Sequence, residues 1–260
     1  MKVVILCGGQ GTRLREETEH RPKPMLPIGN RPILWHIMRT YASFGHKEFI
    51  LCLGYKGEMI KDWFRNLRWM TSDISFEIGS PEAALFHSET QEHGWKVTMA
   101  DTGLDTMTGG RIKRIEKYLG DDDEFLLTYG DGVGRIDVSA SIRYHQASKK
   151  LLTVTAVRPP GRWGELMIES GQVKAFLEKP QTSTGRINGG FFVASRGIFR
   201  YLNDDPGLVF EQEPLRAMSR DNQLAAFEHD GFWQPMDTYQ EYLLLNRLWR
   251  ENKAEWKIWL

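Results

Sequence analysis

The sequence predicts an α/β fold, with a mostly parallel central sheet between two layers of helices and a smaller strand-rich part on the same core. Continuous apolar, β-branched runs such as residues 3–7 are typical of strands buried on both faces of a parallel sheet. Helical patterns alternate with these runs, as in repeated βαβ units. No internal repeat or low-complexity linker divides the 260 residues, so a single domain is predicted.

In the first part of the chain, residues 1–158, strands and helices are predicted to alternate. Pro32 at a first helical turn and Gly45 at a C-terminal stop mark the limits of one helix. Residues 79–94 are polar and weakly patterned, and they are interpreted as a mobile loop. The predicted strands cover residues 3–7, 49–53, 95–100, 125–129 and 151–157, and the predicted helices cover residues 32–45, 58–70, 108–119 and 138–149.

The second part, residues 159–237, is predicted to consist of shorter strands. These strands cover residues 165–168, 173–176 and 190–194. The remaining residues, 238–260, contain an amphipathic helix predicted over residues 238–249.

Composition excludes several classes of protein. Lys and Arg number 34 and Asp and Glu number 34, so the net charge is zero, whereas general nucleic-acid and anionic-membrane binders usually carry a basic excess. The two cysteines, Cys7 and Cys52, are too few for a disulfide framework or for a zinc site built mainly from Cys. No apolar run approaches the roughly 18 residues of a membrane span. We therefore expect a cytoplasmic protein with no nucleic-acid or membrane partner.

A glycine-rich loop, residues 8–14, directly follows the first predicted strand. Closely spaced glycines let backbone N–H groups approach an anion, so the loop is predicted to hold phosphate, with Arg13 as an added cation. The dinucleotide-binding fingerprint fails because Leu14 stands where its third Gly is required, and the Walker A loop fails because the chain has no Gly-Lys pair. A tight turn with a surface arginine is the alternative.

Lys23 stands between Pro22 and Pro24, in a stretch that cannot be helix interior. The prolines are predicted to hold the backbone of Lys23 extended and to reduce the entropy lost in aiming its ammonium group. A lysine on a surface turn is the alternative.

Two aspartates are candidate metal ligands. Asp131 lies between two glycines after a predicted strand, where ligands bind in open α/β sheets, and Asp237 precedes the last helix. Mg²⁺ prefers carboxylate oxygens together with substrate phosphates. Asp131 has the alternative of a β-turn residue. Asp237 has the alternative of a helix N-cap, with Gln240 completing a capping box.

A further motif joins an acid, a cation and an amide in the strand-rich part. Glu178 and Lys179 are followed by Asn188 and Gly189. Glu and Asn can bind sugar hydroxyls and Lys can bind phosphate, whereas a strand end followed by a hairpin is the alternative. Together, a phosphate loop, a constrained lysine, two metal-binding carboxylates and a second lysine beside an acid are what a reaction between two phosphates needs.

These motifs resemble the signature of the sugar-1-phosphate nucleotidylyltransferases, and the similarity runs essentially from end to end. It rests on residues 6–14, on residues 21–25, on Gly130-Asp131-Gly132 and on Glu178-Lys179-Pro180, in that order. Cys7, where many relatives have Ala, and Gln10, often Leu, are departures at positions that use backbone atoms or packing. The segments that resemble the members acting on CTP and glucose 1-phosphate are residues 101–103, 107–111, 159–162, 187–192 and 231–238.

The resemblance implies a Rossmann-like three-layer sandwich of the nucleotide-diphospho-sugar transferase type. Residues 1–158 would bind the nucleotide and residues 159–237 the sugar phosphate. It also implies transfer of the cytidylyl group of CTP to α-D-glucose 1-phosphate, with Mg²⁺, giving pyrophosphate and CDP-glucose for dideoxyhexose and O-antigen synthesis. A homo-oligomer, specifically a hexamer, is implied as well.

The resemblance also implies roles for individual residues. Arg13 and Lys23 would be catalytic, and Asp131 and Asp237 would bind the metal. The implied nucleotide-binding residues are Leu6, Gly8, Gly9, Gly11, Thr12, Arg13, Lys23, Gly103, Arg111 and Thr128. The implied sugar-phosphate-binding residues are Tyr129, Glu178, Lys179, Asn188 and Gly189.

The resemblance places Gly103 and Arg111 around the nucleotide base. Arginine is a donor only, and cytosine offers acceptors at O2 and N3, whereas uracil carries a hydrogen on N3. A buried Arg111 that faces this edge would therefore favour CTP over UTP.

Three alternatives stay open. One is a cytidylyltransferase that acts on a different phosphate. Another is a dehydrogenase, which the missing third glycine of the fingerprint disfavours. The third is a non-catalytic nucleotide-binding relative, which the retention of Lys23, Lys179, Asp131 and Asp237 disfavours.

Overall fold

A computed structural model of the chain describes residues 1–159, 165–169, 172–177 and 185–259. The strands are β1 (Val3–Leu6), β2 (Pro27–Ile28), β3 (Arg31–Pro32), β4 (Glu48–Leu53), β5 (Ile74–Glu77), β6 (Ser80–Phe86), β7 (Lys96–Asp101), β8 (Glu124–Tyr129), β9 (Gly132–Gly134), β10 (Leu152–Val157), β11 (Glu165–Glu169), β12 (Gln172–Leu177), β13 (Ile187–Ser195), β14 (Leu224–His229) and β15 (Trp233–Pro235). The helices are α1 (Arg15–Thr18), α2 (Ile33–Ser43), α3 (Gly57–Thr71), α4 (Thr108–Arg114), α5 (Val138–Ser148), α6 (Glu213–Arg220) and α7 (Tyr239–Arg250). Short 3₁₀ turns cover Thr12–Leu14, Lys23–Met25, Glu116–Tyr118 and Arg196–Tyr201.

A seven-stranded sheet forms the centre of the molecule, in the order β14-β10-β13-β8-β1-β4-β7. Only β13 runs against its neighbours in this sheet, and the other pairs are parallel. The predicted α/β class with a mostly parallel sheet is therefore confirmed.

Helices cover both faces of the sheet, which explains the apolar runs in the sequence. Along β1, Val3 and Ile5 belong to one core cluster, which includes side chains of α2. Val4 and Leu6 point the other way, into a cluster that includes Ile112 of α4. All four side chains of β1 are buried, so no polar face remains on this strand.

The part of the chain after residue 158 completes the same sheet. β13 lies between β8 and β10, and β14 forms the edge next to β10. β11 and β12 pair only with each other among the described strands. β15 pairs with β9 and so places the segment before α7 next to the end of β8.

The structure corrects two of the predicted elements and adds others. Residues 79–94 are not simply a loop, because β6 lies within them and pairs with the preceding strand β5 as a hairpin. The hairpin leaves apolar side chains in solvent, with Ile78 93% exposed, so burial periodicity could not reveal it. The predicted helix over residues 108–119 ends at Arg114 and continues as a 3₁₀ turn. α6 and β14 were not anticipated. In the part of the chain described, no helix is long and apolar enough to cross a membrane.

Candidate active site

Two adjoining cavities open where β1 and β8 end, at the carboxyl edge of the parallel strands. The first cavity has a volume of about 320 Å³ and the second about 430 Å³. Both are lined by Tyr129, Asp131 and Asp237, so these side chains form the boundary between them.

The first cavity gathers most of the residues predicted to bind a nucleotide. Its lining includes Leu6, Gly8, Gly9, Gly11, Thr12, Lys23 and Arg111, together with Thr106, Met107 and Thr108 before and at the start of α4. Gly103 is not among the lining residues of this cavity. Thr128 lines the second cavity instead. The assignment of these two residues to the nucleotide thus finds no support in the cavity geometry.

Arg111 is buried, with 4% of its surface exposed, and its guanidinium group is surrounded by protein oxygens. Burial lowers the pKa of Arg111 from its ordinary value. The acceptors of Nη1 are Leu53 O at 3.0 Å, Thr102 Oγ1 at 2.8 Å and Gly103 O at 2.8 Å, and those of Nη2 are Gly8 O at 3.0 Å and Leu104 O at 3.1 Å. Both terminal nitrogens are thus engaged with the protein, and a role of Arg111 in reading the base stays a prediction.

The absence of a side chain at Gly8 and Gly54 makes room for this arginine. An ideal Cβ would lie 2.1 Å from Arg111 Nη1 at Gly8 and 2.5 Å from the same nitrogen at Gly54. The close approach of a buried side chain therefore requires glycine at position 8.

Arg111 also fixes the direction of a backbone donor. Gly8 O accepts hydrogen bonds from Arg111 Nη2 and, at 3.1 Å, from the N–H of Tyr55. The chain has no cis peptide bond among its described residues, so the N–H of Gly9 points away from both of these partners. Gly11, at φ +64°, adopts a left-handed conformation that favours glycine. These contacts constrain the backbone at Gly8 and so the direction of the Gly9 N–H.

Lys23 lies between the two aspartates at the junction of the cavities. Its Nζ donates to Asp131 Oδ2 at 2.7 Å and to Asp237 Oδ1 at 2.6 Å. Only 11% of the lysine side chain is exposed. Burial opposes its charge, but the two carboxylates outweigh this effect and the pKa of Lys23 is raised above its ordinary value. Lys23 therefore stays protonated through the neutral range.

The backbone at Lys23 is not extended as predicted. Pro22 is extended, with φ −68° and ψ 147°, but Lys23 begins a 3₁₀ turn closed by the hydrogen bond from Met25 N to Pro22 O at 2.8 Å. Burial of Leu26 directly after the turn anchors it in the core. The prolines thus rigidify a turn and not an extended segment.

Asp237 is not the N-cap of the last helix. Thr238 caps α7, with its Oγ1 accepting from Glu241 N, and Glu241 completes the capping box. Glu241 Oε2 accepts from the N–H groups of Asp237 and Thr238 at 2.7 and 2.8 Å. The capping box begins one residue later than expected, so Gln240 has no part in it. The carboxylate of Asp237 is not used as a cap and accepts from Lys23.

The second cavity gathers three residues predicted to bind the sugar phosphate, Tyr129, Asn188 and Gly189. Asn188 Nδ2 donates to the Tyr129 hydroxyl at 3.1 Å, and Trp233 Nε1 donates to Gly189 O at 2.7 Å. Glu178, Lys179 and the side chain of Arg13 lie outside the described part of the structure.

Sequence reasoning missed Glu211, which lines the second cavity. Its carboxylate accepts from the hydroxyls of Tyr129 and Thr108 at 2.5 and 2.6 Å. Glu211 stands in the acidic run Glu211-Gln212-Glu213, which is typical of a solvated surface and belongs to no motif. No signal in the sequence could have separated Glu211 from Glu213.

The donor set of Asp131 and Asp237 fits a divalent cation. Their carboxylates already converge on one positive charge, the ammonium group of Lys23. Among the residues described, no group of three or more His, Cys, Asp or Glu side chains could hold a metal. A pair of carboxylates still suits Mg²⁺, which takes its other ligands from water and substrate phosphates.

The chain is similar to known proteins along its whole length. The sequence profile of the nucleotidyl transferase family matches residues 2–251. A glucose-1-phosphate cytidylyltransferase of Salmonella typhi is 49% identical over 259 residues, covering 100% of both chains. A Bacillus subtilis protein described as a glucose-1-phosphate cytidylyltransferase is 45% identical with the same coverage. A Bacillus anthracis protein crystallised in complex with sucrose matches 96% of each chain with a TM-score of 0.70 and 18% identity, which shows a common fold.

Proposed function

The chain belongs to the nucleotidyl transferase family, and from this premise we propose that it transfers the cytidylyl group of CTP to α-D-glucose 1-phosphate. The products are CDP-glucose and pyrophosphate. The observation that carries the proposal is a pair of cavities that meet at one cluster of charges, Lys23, Asp131 and Asp237. The full-length identity to glucose-1-phosphate cytidylyltransferases supports the choice of substrates.

The first cavity is proposed to hold CTP. Its glycine loop offers backbone donors without side-chain interference, and Lys23 supplies a fixed cation at the end next to the second cavity. Arg13, on the 3₁₀ turn Thr12–Leu14, is proposed as a second cation for the triphosphate. Arg111 would act through the loop conformation, since its donors hold backbone carbonyls around the cavity.

The second cavity is proposed to hold glucose 1-phosphate. Tyr129, Asn188 and Gly189 lie on its wall, and Glu178 and Lys179 are proposed to complete it as a hydroxyl acceptor and a phosphate cation. The sugar phosphate would then approach the α-phosphate of CTP across the boundary formed by Asp131 and Asp237.

The difficulty of the reaction is electrostatic, because two polyanions must come into contact. One oxygen of the sugar phosphate attacks the α-phosphorus in line, the bond from phosphorus to the bridging oxygen breaks, and pyrophosphate leaves. Such transfers are catalysed mainly by positioning and charge neutralisation. Lys23 at the junction is placed to stabilise charge on the oxygens of the breaking bond.

Enzymes of this family generally use a divalent metal. We propose Mg²⁺ for this chain, held by Asp131 and Asp237, where it would offset negative charge on the α-phosphate. The side chains of the protein would orient the two substrates around it.

The whole chain is proposed to act as one domain, with residues 1–158 on the nucleotide side, residues 159–237 on the sugar-phosphate side and residues 238–260 as a C-terminal segment.

A homo-oligomer, a hexamer by resemblance, is also proposed. Exposed apolar side chains on α3 and the β5–β6 hairpin support it, among them Met70, Ile78 and Leu85. Two buried unpaired thiols, Cys7 and Cys52, agree with a reducing cytoplasm.

The proposal is tested by measuring pyrophosphate release with the four nucleoside triphosphates, each against a panel of sugar 1-phosphates and Mg²⁺. CTP with glucose 1-phosphate should give the highest kcat/KM. A higher value with another pair would replace the proposed substrates, and no release with any pair would contradict the activity itself.

A further inference from the structure

Glu211 connects the two cavities through a chain of hydrogen bonds. Thr108, which lines the first cavity, donates its hydroxyl to Glu211 Oε2 at 2.6 Å. Tyr129 donates its hydroxyl to Glu211 Oε1 at 2.5 Å. Asn188, which lines the second cavity, then donates from Nδ2 to the same tyrosine oxygen at 3.1 Å. One carboxylate thus receives a hydroxyl from each side of the site.

The direction of these bonds is set by the neighbouring groups. Thr108 Oγ1 already accepts the N–H of Phe210 at 2.9 Å, so its hydrogen is directed to Glu211. Asn188 Oδ1 accepts the N–H of Gly190 at 2.8 Å, so its amide group presents Nδ2 to Tyr129. The hydroxyl of Tyr129 lies 2.5 Å from Glu211 Oε1 and accepts from Asn188, so its hydrogen is directed to the carboxylate.

Thr108 has a further consequence for the first cavity. It is the first residue of α4, the helix that carries Arg111, and Arg111 holds the carbonyl of Gly8. A carboxylate that fixes Thr108 therefore contributes to the position of α4 relative to the phosphate loop. On the other side, the same carboxylate fixes Tyr129 at the wall of the second cavity.

We propose that Glu211 is a positioning residue shared by both substrates, holding Thr108 for the nucleotide and Tyr129 with Asn188 for the sugar phosphate. The proposal rests on the proposed function of the two cavities. Its distinguishing feature is the two-sided connection. An ionised carboxylate accepts through both oxygens, and no neutral side chain of the same length can accept a hydrogen bond on both sides.

This arrangement predicts a specific pattern of KM values. Glu211→Ala should raise the KM for CTP and the KM for glucose 1-phosphate, each by about tenfold, the effect of losing one hydrogen bond to a charged acceptor. Thr108→Val should raise mainly the KM for CTP. Tyr129→Phe, which keeps the ring and removes only the hydroxyl, should raise mainly the KM for glucose 1-phosphate.

Glu211→Gln separates positioning from a merely structural role. Glutamine has one acceptor oxygen, so it can receive only one of the two hydroxyls. This variant should restore one of the two KM values toward that of the wild type and leave the other raised. Glu213→Ala is the matched control, because Glu213 is exposed and forms an ion pair with Arg220 outside both cavities. It should leave both KM values unchanged.

The experiment measures both KM values for the wild type and these five variants, with calorimetric titration of CTP and of glucose 1-phosphate separately and a thermal melt of each protein. If Glu211→Ala raises the KM for only one of the two substrates, the shared role is overturned. A lower melting temperature with both KM values unchanged would also overturn it. If both KM values of Glu211→Gln equal those of the wild type, the shared role is overturned as well. If the wild type itself releases no pyrophosphate from CTP and glucose 1-phosphate, the proposed function fails, whatever the variants show.

Discussion

The first cavity takes most of its lining from the part of the chain before β8, whereas the second takes its lining from β8 and the residues after it. The loop after β1, the turn at Lys23 and the start of α4 provide most of the first wall, and Tyr129, Gly130, Asp131 and Asp237 provide the rest. The second wall takes residues from β8, β13, β15 and the segment before α6. A local motif can therefore reveal a phosphate loop, while a sugar pocket depends on which strands the sheet brings together.

The two cavities also differ in the charge of their lining residues. Lys23 and Arg111 give the first cavity two buried cations, and Glu211 and Glu241 give the second cavity two acids. Asp131 and Asp237 belong to both. Such a division suits a triphosphate on one side and a sugar rich in hydroxyl groups on the other.

The largest effect is expected at the shared boundary. Asp131→Ala and Asp237→Ala should each reduce kcat by about 10³-fold, because each removes charge from the place where the two substrates meet. Turnover and thermal melts of both variants check this. Asp137→Ala is a matched control: Asp137 caps α5 through Ala140 N at 2.8 Å, so its loss should cost about 1 kcal/mol of stability and leave kcat unchanged. An Asp237→Ala variant that behaves like this control would remove Asp237 from the site.

The next largest effect on kcat is expected at Lys23. Lys23→Ala should lower kcat by about 10²-fold and change the KM for CTP much less, because negative charge on the breaking bond grows in the transition state. Steady-state kinetics with saturating glucose 1-phosphate measure both values. A normal kcat with only a raised KM would show instead that Lys23 contributes equally to ground state and transition state.

A smaller effect is expected for Arg111, and it tests whether this residue reads the base. Arg111→Ala should lower kcat/KM about tenfold for CTP and for UTP alike, since the guanidinium group holds Gly8 O and Gly103 O. The ratio of the two values should stay that of the wild type. Arg114→Ala is the control, because Arg114 bonds Thr102 and Thr106 and lines neither cavity. A ratio that collapses toward one in Arg111→Ala would assign the base-reading role to this arginine.

The smallest effect on turnover is expected outside both cavities, at His36. This buried histidine donates from Nε2 to Ile28 O at 3.0 Å and accepts from Trp256 Nε1 at 3.3 Å, so it is held neutral. Burial lowers the pKa of His36 to about 4. The unfolded chain takes up a proton below pH 6.5 and the folded chain does not, so stability should fall between pH 6.5 and pH 4, by about 3 kcal/mol in all.

Urea unfolding at pH 7 and pH 4.5 measures this loss. His36→Gln, which can keep both hydrogen bonds without titrating, should lose much of the difference between the two pH values, and kcat at pH 7 should be unchanged. His93→Gln, at an exposed position, is the control and should unfold like the wild type at both pH values. An equal pH dependence in His36→Gln and the wild type would assign the acid sensitivity to other groups.

Much of the fold and of the first cavity could be predicted from the sequence. The apolar run of β1 and the glycines after it are local patterns with direct physical meanings. Which cavity Thr128 and Tyr129 reach depends on the fold, because Thr128 lines the second cavity whereas Tyr129 lines both. The β5–β6 hairpin was missed because backbone pairing defines it and burial does not.

The type and order of the charged residues along the chain can be read directly from the amino-acid sequence. Their contacts depend on the fold. The hydrogen bond from Arg111 to Gly8 spans 103 residues, and that from Tyr129 to Glu211 spans 82. Contacts at such separation form only when the sheet aligns its strands, so no local pattern can contain them. For this reason local patterns could not predict that Arg111 contacts backbone carbonyls or that Glu211 accepts from Tyr129.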